Sequence, residues 1–153
     1  MDTLSKRERS ELMSRVRSED TRPELIVRRL VHAMGYRYRL HVPKVPGRPD
    51  LVFRRLRKVI LIHGCFWHRH RGCASTRTPK SRIVFWTTKF DANVRRDQIV
   101  RRQLRREGWK TLIIWECETA KLERDADRHL ERSKVGQEVL AVTACLGHVL
   151  SLQ

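Results

Sequence analysis

Acid is missing where this chain is most basic. From Leu51 through Phe90 no Asp or Glu occurs, while ten Lys or Arg do. Across all 153 residues, 34 Lys and Arg stand against 17 Asp and Glu, a formal net charge of +17 and a pI near 11.1. Self-repulsion on that scale needs a polyanionic partner. Long apolar runs are also missing: none approaches the roughly 20 residues of a membrane span. The opening Met-Asp-Thr-Leu-Ser-Lys-Arg has no signal-peptide core, so a cytoplasmic protein is expected. A polybasic membrane-surface protein would want a basic amphipathic helix or a lipidation signal, and neither is present. Cysteine is scarce, at four. In a secreted chain Cys65, Cys73, Cys117 and Cys145 would pair as disulfides; without a secretion signal, metal ligation is the default. There is no internal repeat and no low-complexity linker. The 40% apolar content is ordinary and excludes disorder, so the chain reads as one domain.

The first twenty residues are charged, with Leu12, Met13 and Val16 as exceptions, and read as a short helix or arm. Thr21-Arg22-Pro23-Glu24 predicts a helix start, with Thr as N-cap, Pro in the first turn and Glu closing a capping box. Ile26, Val27, Leu30, Val31 and Met34 follow at helical spacing, and Gly35 stops them. Tyr36, Tyr38, Leu40 and Val42 alternate with polar residues and predict a strand. Pro43 to Pro49 is a rigid connection. Leu51-Val52-Phe53 and Lys58 to His63 predict two more strands. Ile83 to about Lys89 and Asp91 to Glu107 predict helices, and Gly108 breaks the pattern. Thr111 to Trp115 predicts a buried strand ending at Glu116-Cys117, and Lys121 onward a helix. The expected class is α/β, a mixed sheet flanked by helices. Residues 1–20 form the arm, 21–120 the core and 121–153 a helical extension of the same domain.

The chemistry gathers in Ile62-His-Gly-Cys-Phe-Trp-His-Arg-His-Arg-Gly-Cys73. Cys65, Cys73 and the distant Cys117, with one imidazole, make a tetrahedral sulfur and nitrogen set that suits zinc. Spacing leaves His68 and His70 both open as the nitrogen ligand. The alternative is loop cysteines without metal. Cys145, in an apolar helical context, reads as core. Asp50 stands at the mouth of a strand and suits magnesium, which prefers hard oxygen ligands; as a turn residue after Pro49 it would need no metal. If the strands pair, His63 lies near that carboxylate with His68 across the loop. One imidazole can then take a proton from water while the other steadies charge on a phosphate. Asp97 falls inside the apolar stripe Phe90, Val94, Val100 and Leu104, so it needs a partner, either Arg101 or one of the histidines. Glu24 is explained by its capping box alone. Phe66 and Trp67 either cover the loop as a local core or stand out as wedges for a base step, where a damaged or mismatched base unstacks at least cost. Trp86, Trp109 and Trp115 read as core.

Pro-Gly-Arg-Pro-Asp (46 to 50), His-Gly-Cys-Phe-Trp-His (63 to 68), Phe85-Trp86, Asn-Val-Arg-Arg-Asp (93 to 97), and Gly108-Trp109 followed by Ile-Trp-Glu-Cys (114 to 117) occur in consistent order. Together these motifs resemble the very short patch repair endonucleases. The likeness covers roughly Ser5 to Glu118. It implies a bacterial DNA repair enzyme with a restriction-endonuclease-like sandwich. Such an enzyme nicks duplex DNA 5′ to the thymine of a T:G mismatch left by 5-methylcytosine deamination. It further implies that Asp50 and the Ile62 backbone carbonyl hold Mg2+, that His63 and His68 do the acid–base work, and that Glu24 and Asp97 support them. The Zn2+ ligands become Cys65, His70, Cys73 and Cys117. Phe66 and Trp67 intercalate, with Met13 of the arm wedging nearby. A monomer is expected. The competing readings are a zinc-stabilised DNA-binding protein without catalysis, and a nuclease of the same fold for another lesion.

Overall fold

The computed structural model describes Arg7, Glu8, Glu11, Arg17 and residues 19–132, with side chains up to Arg124. Met13 and Cys145 lie outside the described residues, as do most of the arm and residues 133–153.

Helix α1 (Arg22–Ala33) starts from an extended Thr21 with Pro23 in its first turn. The expected capping box does not form. Glu24 accepts the Thr21 hydroxyl at 2.8 Å and the Asp20 N–H at 3.0 Å, so the Thr21 side chain caps no helix N–H. The helix ends in a Schellman turn: Tyr36 N–H donates to Val31 O, Gly35 N–H donates to His32 O, and Gly35 sits at φ +83°.

Strands β1 (Leu51–Phe53), β2 (Lys58–His63) and β3 (Lys110–Trp115) form a mixed sheet in that order. β1 runs antiparallel to β2 with Leu51 opposite Ile60, and β2 runs parallel to β3 with His63 opposite Trp115. Strand alternation then sorts the core into two faces. Leu51, Phe53, Ile60 and Ile114 pack on Val27 and Val31 of α1, with Leu122 of α4 (Glu116–Arg132) joining them. Val52, Val59 and Leu61 pack on Val45, Trp109 and Leu104, the last from α3 (Ile83–Arg106). The result is helix, sheet, helix in three layers. Each fully buried Val, Leu or Ile contributes about 1.5–3 kcal/mol.

Two sequence expectations need correction. Tyr36 to Val42 is not a strand; only Arg39 bridges, antiparallel to Val52. Tyr36 and Tyr38 instead turn edge-on to Phe53 at 6.2 and 6.1 Å, and His41 takes φ 43°, which an extended run cannot contain. The two helices expected over 83–107 are a single one of 24 residues, because nothing between Lys89 and Asp91 caps or breaks it.

The rigid connection ahead of β1 is pinned to α3. Gly47 sits at φ +72°, and a Cβ there would lie 2.3 Å from Val100 Cγ1. Only glycine lets the chain pass this close. That contact delivers Asp50 to the end of β2. At the same end the short helix α2 (Cys65–His68) leaves β2, and α4 begins directly after Trp115. The carboxyl ends of the parallel pair therefore carry the chemistry, where open α/β sheets place their ligands.

Candidate active site

One cavity of about 1270 Å³ opens at this end of the sheet. Glu24, Asp50, Ile62, His63, Phe66, Trp67, His68 and Asp97 all line it. Residues picked from four separate stretches of sequence thus converge.

Asp50 turns back across the edge of β2, where its Oδ2 accepts the Ile62 N–H at 2.7 Å. Ile62 lies beyond the reach of β1, so the carboxylate takes the place of a strand partner. Burial raises the pKa of Asp50, the Ile62 hydrogen bond works against that, and the nearby Glu24 charge adds to it. A ligand atom from each of Glu24, His41 and Asp50 lies within 4.8 Å of the others, a set able to hold a cation. Such a cation would offset the cost of keeping Asp50 charged in its buried place.

His63 and His68 stack nearly parallel, ring centroids 4.0 Å apart. His68 Nδ1 meets Asp97 Oδ2 at 2.5 Å, so Asp97 finds its partner in a histidine and not in Arg101. A carboxylate on Nδ1 fixes the ring and leaves Nε2 for a reacting group. Burial, then the adjacent His68, hold the pKa of His63 down to about 4, with Asp97 opposing them. His63 is therefore neutral at pH 7. Two imidazolium rings this close would repel, which favours a neutral His63.

Cys65, His70, Cys73 and Cys117 bring their ligand atoms within 4.8 Å of one another. His70 Nδ1 stands 3.6 Å from Cys65 Sγ and 3.3 Å from Cys117 Sγ. Metal–sulfur bonds of ~2.3 Å put tetrahedral donors roughly 3.5–4 Å apart, so the residues fit a metal ion. His68, the other candidate spacing allowed, points to Asp97 instead. Burial pushes the Cys65 thiol up to about 12 and raises Cys117 as well, while the Ser75 backbone N–H lowers Cys73. Bound cations reverse such costs by holding thiolates.

Phe66 and Trp67 are both half-buried. Phe66 meets Trp86 and Phe90 edge-on at 5.5 and 5.0 Å, so the aromatics brace one another against α3. Trp67 carries the Lys89 ammonium 5.0 Å from its ring centre.

Four residues of the site escape a sequence reading. Trp115, expected as plain core, is half-buried between the two clusters, stacked on His70 at 4.2 Å and edge-on to His63 at 5.4 Å. Its place as the last residue of β3, opposite His63, was the available signal. Glu116 Oε2 accepts the Cys65 N–H at 3.1 Å and so anchors the start of the cysteine loop. His41 and Arg28 gather around Glu24, Arg28 donating to it at 2.8 Å. Nothing in the spacing of those two marks them.

A family model described as DNA mismatch endonuclease Vsr matches residues 1–75. A type II nicking enzyme of Xanthomonas oryzae pv. oryzae, V.XorIIP, is 49% identical over 121 residues, 79% of this chain and 88% of the relative. The type II nicking enzyme V.NmeAIP of Neisseria meningitidis is 37% identical over 117 residues, covering 76% and 83%. The DNA mismatch endonuclease Vsr of Escherichia coli is 37% identical over 129 residues, covering 84% and 82%. With relatives this similar spanning most of both chains, the protein belongs to the Vsr family of DNA mismatch endonucleases and is a DNA-cutting hydrolase.

Proposed function

We propose that this protein nicks one strand of duplex DNA 5′ to the thymine of a T:G mismatch arising from 5-methylcytosine deamination. Cleavage is a Mg2+-dependent hydrolysis that leaves a 5′-phosphate and a 3′-hydroxyl. The observation that carries this reading is the convergence of Asp50 and the His63–His68–Asp97 stack on one cavity walled by an aromatic pair.

Asp50 and the Ile62 carbonyl would hold Mg2+. A strand residue presents its N–H and C=O to the same edge, so the carbonyl of Ile62 opens toward the carboxylate that accepts its N–H. When bound, the cation neutralises charge on the phosphate and makes a water more acidic. His68, with Nδ1 committed to Asp97, takes the proton of the attacking water at Nε2. His63 stays neutral beside it and hydrogen-bonds the phosphate. Glu24 supports the Asp50 side of the cavity through its hydrogen bonds with Thr21 and Arg28.

Cys65, His70, Cys73 and Cys117 would hold a structural Zn2+ that staples the loop onto the start of α4. Phe66 and Trp67 wedge beside the mismatch, with Met13 of the arm close by. The sandwich is of the restriction-endonuclease type, its core spanning residues 21–120 with 121–153 as an extension. It works as a cytoplasmic monomer on duplex DNA.

Asp50→Ala and His68→Ala test the assignment directly. Each abolishes nicking of a T:G duplex while the affinity for that duplex stays within about threefold. Equal loss of binding and nicking would remove both residues from the chemistry.

A further inference from the structure

Beyond the active cavity, α3 carries a feature the cleavage chemistry does not use. Between Gln98 and Arg106 the helix has four arginines and no acid. Gln98, Arg101, Arg102 and Arg105 recur at i, i+3, i+4 and i+7, so they share one face. With Trp109 and Lys110 they line a groove of about 650 Å³ that contains no carboxylate. Arg101, Arg102 and Arg105 are exposed, and no carboxylate among the described residues pairs with them. The floor is firm: Trp109 is buried, and the Arg57 guanidinium lies 4.2 Å from its ring centre.

The bland explanation is a helix C-terminus that welcomes cations. It accounts for one or two arginines in the last turn, at about 0.3–1 kcal/mol each. It does not account for Arg101 and Arg102, a turn further back. The spacing also sets Arg101 against Arg105 and Arg102 against Arg106, two like-charged i,i+4 pairs that cost the free helix about 0.2–0.5 kcal/mol each. A face that destabilises its own helix makes sense if an anion covers it. The groove is separate from the cavity: the two share no lining residue, and the groove ends at Trp109 to Thr111, where β3 starts, while the cavity opens where β3 ends.

We propose that this groove is a second duplex contact, in which Arg102 and Arg105 grip the phosphate backbone outside the active cavity. The proposal rests on the protein's acting on duplex DNA, not on which mismatch it selects. Phosphate contacts carry no sequence information, so the groove adds affinity and register without adding discrimination.

The test is binding of a fully paired duplex of about 30 base pairs, followed by fluorescence anisotropy across a salt series. The proteins are the full chain and its Arg102→Gln/Arg105→Gln variant. Each lost contact removes about 0.9 from the slope of log K against log salt, so the variant's slope falls by nearly 2 and its affinity by about tenfold. Arg102→Lys/Arg105→Lys restores most of the slope, and the ratio of T:G to T:A binding is the same in all three proteins. An unchanged slope would overturn the proposal. So would a loss that the lysines fail to restore, since that would trace the effect to folding or to another partner. A wild-type protein that binds T:G and T:A alike would count against the mismatch reading while leaving the slope comparison intact.

Discussion

His63 is where burial decides chemistry. Its unfolded imidazole titrates near 6.5 and its folded one near 4, so between those values the unfolded chain binds more protons. The stability it contributes is complete above pH 6.5 and is lost as pH falls toward 4, a difference of at most ~3 kcal/mol. Asp50 works in the opposite sense. Its raised pKa favours the folded state at low pH, and that contribution disappears as pH rises through the folded value. Urea midpoints measured from pH 4 to 7 are therefore expected to rise more steeply for wild type than for His63→Gln. Equal slopes would mean that His63 is as free to protonate in the fold as out of it. At this scale the sequence was generous. Three histidines within eight positions announced a site, and Asp97, an acid inside an apolar stripe, announced that it needed a partner. Trp115 was hidden because an aromatic closing an apolar strand looks the same whether it faces the core or stacks on an imidazole. His41 was hidden because its partners Glu24 and Arg28 lie on a helix far from it in sequence.

Among the elements, the loop before β1 is held by steric fit. Gly47 passes α3 so closely that a methyl group would overlap Val100, and its positive φ adds backbone strain for any other residue. Gly47→Ala is expected to cost about 2–4 kcal/mol, read from denaturant midpoints. Adding Val100→Ala should return part of that loss, since it clears the overlap but not the backbone strain. Costs that simply sum would mean the two do not touch. Helix and strand periodicity predicted α1, β1 and β2 well, because each buries one continuous set of side chains; it placed β3 too, but that strand, expected buried, buries only Ile114. It misread Tyr36 to Val42, where the alternation is real but the tyrosines pack on Phe53 from outside the sheet. It also split α3 at the junction, although Phe90 heads the apolar stripe of the second half and stays buried there, so one helix runs through.

Across the molecule, two donor sets of opposite character flank Trp115: oxygen and imidazole on one side, sulfur and imidazole on the other. With a metal bound, the sulfur set would tie α2, the loop to Cys73 and the start of α4 together. One zinc per chain is expected in the purified protein by elemental analysis. Its removal by a chelator, or Cys73→Ser, should lower the melting temperature by several degrees. A metal-free protein of unchanged melting temperature would reduce the cluster to free thiols. The oxygen set, with the stacked histidines, is the one proposed to cut. The excess positive charge fits a DNA substrate, but charge alone never distinguishes one duplex from another. The most direct measurement is a nicking assay on a T:G duplex beside its T:A counterpart, each with and without magnesium. A single cut 5′ to the mismatched thymine, in the T:G duplex and only with magnesium, is the predicted result. Cutting of both duplexes alike, or undiminished cutting without the metal, would contradict it.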